Sequence, residues 1–205
     1  FRLVDYLCEL GRTDAAAAVV DRWIQRHGEI PASLGQIRVR ISMGQSKRAR
    51  QALNRIKDNQ KWRYWMRSLE LDYNDFKALT FIHEENFDRA QDILNIPVVV
   101  GLHARRSYLK GFVAFQRGEA EEAAGFFGEA QIQLNNLEFP YHSDPILFVQ
   151  SKFFLAEAAI ARGDAREAER NYREFLDMWQ SAVWELKAVD RAEKKLATLT
   201  AANDS

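Results

Sequence analysis

The chain has 205 residues, 47% of them hydrophobic, so it is long enough to bury a substantial apolar core. Its 29 lysines and arginines equal its 29 aspartates and glutamates, which excludes a global field that would attract nucleic acid or a membrane. The single cysteine excludes an internal disulfide framework, and the sequence contains no apolar run of about 18 residues that could span a bilayer.

Apolar residues recur at spacings of three and four along nearly the whole chain, which predicts helices throughout and an all-α fold. Turn signals divide these helices into pairs. We expect five helical hairpins and a final amphipathic helix, at about 1–28, 31–58, 61–96, 103–137, 146–180 and 182–200.

The turn of each hairpin lies in a repeated frame of small and apolar residues. In the last hairpin Gly163 is preceded by Ala159 and followed by Ala168 and Phe175. Small residues where two helices cross, with larger residues beside them, are typical of an antiparallel helix pair. The other turn residues in this frame are Gly11, Gly44, Glu85 and Gly118.

The third hairpin departs from the others because its first helix is longer. Apolar residues between Lys61 and Glu84 recur without an interruption, which predicts one helix of about 23 residues. This extra length accounts for the wider spacing between Gly44 and Glu85.

Successive turn residues are 33, 41, 33 and 45 residues apart. A helix–turn–helix unit of about 34 residues is the tetratricopeptide period. The chain therefore resembles the tetratricopeptide repeat family from about residue 1 to 180, in its frame of small and aromatic residues. The Trp, Leu-Gly and Pro of that consensus are mostly absent. The resemblance implies one domain over 1–205, a right-handed α-solenoid of about five hairpins whose last helix caps the apolar end.

The resemblance also implies a binding site. In this family the first helix of each hairpin lines a concave groove that binds a peptide or helix of a partner protein. The second half of the groove would be aromatic, which suits an apolar peptide or an amphipathic helix. For each aromatic residue, a place in the core is an equal alternative. The groove positions transferred to this chain are Arg38, Asp72, Asp75, Phe76, His83, Arg105, Tyr108, Phe112, Phe115, Gln116, Gln150, Phe153, Phe154 and Glu157.

No set of residues in the sequence predicts catalysis, a metal site or a cofactor. His83-Glu84 resembles the start of a zinc-protease helix, but Phe87 stands where the second histidine would be needed. Gly125 and Gly128 are expected inside a helix, where close helix packing would explain them. We therefore expect a protein that is not an enzyme.

A basic segment leaves nucleic acid as an alternative partner. Residues 38–67 contain ten basic side chains and one acid, with Trp62, Tyr64 and Trp65 among them. Cations neutralise phosphates and aromatic rings stack on bases. The preferred interpretation is that these aromatics pack between helices and the charges solvate the surface, balanced by twelve acids against five bases in residues 118–178.

The expected function is a scaffold or adaptor that binds another protein or another segment of its own parent chain. The alternative is a regulatory or sensor module of a larger signalling protein or transcription factor. Because the chain opens at Phe1 within a helical pattern, we expect it to be a segment of a longer protein. The sequence does not define a compartment, and a soluble, cytoplasmic protein is the working expectation.

Overall fold

The computed structural model describes residues 2–27, 29–56, 73–97, 104–135, 145–180 and 187–203. These ranges contain eleven α-helices and no strand, which confirms the all-α prediction for the described part of the chain. Among the described helices, none has the length and apolar character needed to cross a membrane. The chain divides into two compact units, Phe1–Leu102 and His103–Ser205.

In the described part of the first unit, each helix packs against the next one along the chain. In addition α1 contacts α3, and α3 contacts α5, so the odd-numbered helices also pack against one another. The helices of this unit are α1 (Arg2–Glu9), α2 (Thr13–His27), α3 (Glu29–Ser42), α4 (Ser46–Ile56), α5 (Tyr73–Ile82) and α6 (Phe87–Leu94).

The second unit follows the same rule. Consecutive helices pack together, and α7 also contacts α9. The helices of this unit are α7 (Ala104–Gln116), α8 (Ala120–Asn135), α9 (Pro145–Arg162), α10 (Ala165–Trp179) and α11 (Lys187–Asn203).

All five predicted turn residues have a positive φ. The angle is 70° at Gly11, 71° at Gly44, 80° at Gly118 and 79° at Gly163, a region that glycine enters without steric cost. Glu85 has the same conformation at 55°, although its side chain disfavours it by about 1–2 kcal/mol. The turn frame read from the sequence is therefore confirmed, including the turn that lacks a glycine.

The five turns share one hydrogen-bond pattern. The amide of each turn residue donates to the carbonyl three residues earlier, and the following amide donates to the carbonyl five residues earlier, at 2.7–3.0 Å. This pattern satisfies the last carbonyls of the preceding helix. After Glu85, the side chain of Asn86 accepts a hydrogen bond from the Arg89 amide at 3.2 Å and begins the next helix.

Small residues lie where the paired helices cross. The residue five positions after each turn is an alanine with no exposed surface, namely Ala16, Ala49, Ala90, Ala123 and Ala168. At Gly111 a methyl group would lie 2.9 Å from the ring of Phe127. The close approach of the helices therefore depends on side chains of one carbon or none.

Gly125 and Gly128 do not follow this rule. Apart from the adjacent residues and the backbone of its own helix, no described atom lies within 4 Å of the position that a β-carbon would take at either residue. The expectation that close helix packing explains these two glycines is wrong.

Two predicted boundaries differ from the structure. The described part of the long helix, Tyr73–Ile82, ends before Glu84 because the turn already begins there. The rest of that prediction, at 61–72, lies outside the described residues. The last helix continues to Asn203, three residues beyond its predicted end, and 182–186 also lie outside.

We expect one added methyl group to change the free energy of unfolding in opposite directions at Gly111 on α7 and at Gly125 on α8. Gly111→Ala should lower the free energy of unfolding by about 1 kcal/mol or more, because Phe127 is fully buried and cannot move aside. Gly125→Ala should raise it by about 0.5–1 kcal/mol, since alanine favours a helix and meets no neighbour. Urea unfolding followed by circular dichroism measures both, and effects of the same sign would contradict the packing described.

Candidate functional site: the aromatic face of α7 and α9

In the first unit, most predicted groove residues are not accessible. Arg38 is 2% exposed and Asp75 is 6% exposed, while Phe76 is fully buried. None of these three side chains is accessible to a partner. Their assignment to an open groove is therefore corrected. Asp72 lies outside the described residues.

Arg38 is buried because it joins α3 to α1. Its Nε donates to a carboxylate oxygen of Asp5 at 2.6 Å, and its guanidinium also pairs with Glu9 and donates to Ser42. Its burial would favour the neutral form, yet Glu9 and Asp5 raise the pKa of Arg38 above its usual value. Arg38 and Asp5 each lie six residues before a turn, so the predicted groove position is used for contact between neighbouring helices.

Replacing Arg38 should destabilise the first unit strongly. Arg38→Ala leaves the buried carboxylate of Asp5 without its guanidinium, which we expect to lower the unfolding free energy by about 3 kcal/mol or more. Arg40→Ala, on the same helix but half-exposed, is the matched control and should change it by less than about 0.5 kcal/mol. If both variants lower the unfolding free energy equally in urea, the ion pair of Arg38 with Asp5 contributes no more stability than a surface arginine does.

Of the predicted site residues described in this unit, His83 is the exposed one. Partial burial and the positive charge of Arg38 lower its pKa below the usual value, and Glu9 acts in the opposite direction.

In the second unit, the structure brings the predicted aromatic residues together. Phe154 on α9 is the centre of this aromatic cluster. Its ring centroid lies 5.3–6.2 Å from those of its five neighbours, and the Phe127 ring stacks on it at 5.3 Å. The other members of the aromatic cluster are Tyr108, Phe112, Phe115, Phe127 and Phe153.

The cluster has a buried and a half-exposed side. Tyr108 is 7% exposed and Phe153 is 5% exposed, so both are core residues rather than groove residues. The Tyr108 hydroxyl donates to Oε1 of Gln150 at 3.0 Å, which fixes the ring in place. Phe112, Phe115 and Phe154 are half-buried and form what we call the aromatic face.

Polar predicted residues lie on the same two helices as the aromatic face. Arg105 and Gln150 are half-buried, and Gln116 at the end of α7 is exposed.

The remaining predicted residue, Glu157 on α9, is covered by α11. It is 3% exposed and accepts hydrogen bonds from Arg191, from Lys195 Nζ at 3.0 Å and from the hydroxyl of Tyr172. The Arg191 guanidinium also lies 5.5 Å from the centroid of the Phe153 ring. Phe153 and Glu157 therefore lie beneath α11, which is why they are unavailable to another molecule.

Apolar contacts hold α11 against the same unit. Ala192 is fully buried, and Val189 and Leu196 pack against the core formed by α9 and α10. Phe153 and Tyr172 belong to that core. Burial, and the hydrogen bond with Glu157, raise the pKa of Tyr172 well above its usual value, so its hydroxyl stays a donor.

Sequence reasoning missed Arg191 and Lys195. The sequence pattern that could have indicated them is two cations one turn apart on the final amphipathic helix, beside the small residue Ala192. Their partner could not be read from spacing because Glu157 is 34 and 38 residues away in the chain.

The described residues contain no group of three or more His, Cys, Asp or Glu side chains placed to hold a metal ion. Burial raises the pKa of the free thiol of Cys8, which disfavours the reactive thiolate. No protein-family model matches this sequence, and a search of curated proteins found no match.

Proposed function

We propose that the chain is a tetratricopeptide-like helical-repeat module that binds a peptide or a helix of another protein. The aromatic face of Phe112, Phe115 and Phe154 carries this proposal. Its rings are half-buried, with part of each accessible, on two adjacent odd-numbered helices, the layer that lines the groove in the family the sequence resembles. Binding a segment of its own parent chain would give the same face a regulatory role in a larger protein.

The aromatic face is preorganised, which favours binding. The Phe112 ring meets the Phe154 ring edge to face at 89°, and the Phe115 ring meets it at 64°. Each centroid distance, 5.4 and 5.8 Å respectively, falls within the range for aromatic pairs. Because these rings are already held in place, they lose little side-chain entropy when a partner covers them.

The double variant Phe112→Ala with Phe115→Ala should abolish partner binding while the protein stays folded. Truncating a central aromatic residue costs about 2 kcal/mol or more of binding free energy, and the buried Tyr108 and Phe127 remain to hold α7 and α8 together. The measurement is capture of a partner from the source cells, its identification by mass spectrometry, and titration of the purified pair.

The matched control replaces exposed apolar residues elsewhere in the second unit, with Ile132→Ala and Met178→Ala. This control should bind with the parental affinity. If the aromatic double variant also keeps the parental affinity, the aromatic face is not the binding site.

A second candidate, nucleic-acid binding, is supported by α4. This helix contains no acidic residue and exposes Lys47, Arg48 and Arg55. Lys47 and Arg48 lie in its first turn, where the helix dipole disfavours cations, so an anionic partner would compensate for that placement. Trp62, Tyr64 and Trp65, the aromatic residues this hypothesis also used, lie outside the described residues.

Gel-shift titration tests this candidate. If α4 binds nucleic acid, single-stranded RNA or DNA should be retarded at low salt and released as salt rises, because phosphate contacts displace counterions. Lys47→Glu with Arg48→Glu should remove the retardation, whereas Arg166→Glu with Arg170→Glu, on an exposed face of α10, should not. Absent or salt-insensitive retardation contradicts this function.

A further inference from the structure

The last helix, α11, lies on the face of α9 that carries Phe153 and Glu157. We propose that α11 is an exchangeable occupant of the binding surface. The partner would then be an amphipathic helix with two cations one turn apart, and it would replace α11. This inference rests on the proposed function, because it extends the aromatic face along α9 and names the chemistry of its ligand.

The charges on the two sides of this contact differ in burial. The carboxylate side chain of Glu157 is 3% exposed, whereas the side chains of Arg191 and Lys195 are 53% and 36% exposed. A buried carboxylate needs a cation or a hydrogen-bond donor beside it, but solvated cations lose little when they leave. Glu157 is therefore the fixed part of the contact, and the cations are the part that another helix can supply.

The first unit provides a permanent counterpart for comparison. Glu157 lies six residues before its turn, as Arg38 does, and each joins its helix to a neighbouring one. In the pair of Arg38 with Asp5, however, the side chains are 3% and 2% exposed. Neither partner of that pair can reach solvent without separating α1 from α3. In contrast, Arg191 and Lys195 are already partly exposed to solvent while α11 is in place.

The side of α11 that faces α9 defines what a ligand helix must carry. Arg191 and Lys195 supply the cations, and Ala192 between them is fully buried, so a larger side chain would not fit. Leu196 adds an aliphatic contact one turn after Ala192. On its solvent side α11 exposes polar residues, among them Asp190, Glu193, Lys194 and Thr198.

A labelled peptide of the sequence Lys187–Asn203 tests the inference without any external partner. Its binding to the full chain is measured by fluorescence anisotropy. In the variant Arg191→Glu with Lys195→Glu, the resident helix is repelled by Glu157 and should leave the surface. The peptide should bind this variant about tenfold or more tightly than the wild-type chain, where the tethered helix competes at a high effective concentration.

Two further variants test whether the gain in peptide affinity depends on Glu157. Adding Glu157→Gln to the charge-reversed variant should remove the gain, because the peptide then finds no carboxylate. The control Arg166→Glu with Lys194→Glu makes the same change of charge on exposed side chains outside the described contacts of Glu157, and should bind the peptide as the wild type does.

Equal peptide affinity for the wild-type and charge-reversed chains overturns the inference, and so does no binding to a charge-reversed chain that circular dichroism shows to be folded. The neutral single variants Arg191→Gln and Lys195→Gln perturb folding less. Each should give part of the gain in affinity, and their failure to do so also overturns the inference. Loss of partner capture in the aromatic double variant tests the proposed function separately, since that assay does not involve the peptide.

Discussion

The structure depends on how closely its paired helices approach. Each left-handed turn is followed five residues later by a buried alanine, and the residue four positions after that alanine is a larger buried side chain. The alanine allows the two backbones to come together, and the larger residue fills the space one turn further along. The larger residues are Val20, Leu53, Leu94, Phe127 and Tyr172.

The turns and crossings could be predicted from the sequence because their causes are local. A glycine that adopts a positive φ and an alanine five residues later lie within two helical turns of each other. Even Glu85 was recognised, since the residues around it keep the spacing. Asn86 then caps the next helix, as Asp164 does after Gly163.

The accessible site could be predicted only in part, because burial is decided by a neighbouring helix. Phe112 and Phe154 are only half-buried, whereas Tyr108 on the same helix as Phe112 is covered. Nothing in the spacing distinguishes these positions. Glu157 was assigned correctly to its helix, but α11 covers it through contacts with residues more than 30 positions away.

The main helix contacts within each unit join elements that are neighbours, or next neighbours, in the chain. Closing such short loops loses little chain entropy, so we expect each unit to fold rapidly, without waiting for distant segments to meet. The described part of α11 packs mainly against α10 and makes side-chain contacts with α9. If α11 exchanges as proposed, its detachment leaves the mutual contacts of α7, α8, α9 and α10 in place, so we expect a local opening that costs less free energy than global unfolding.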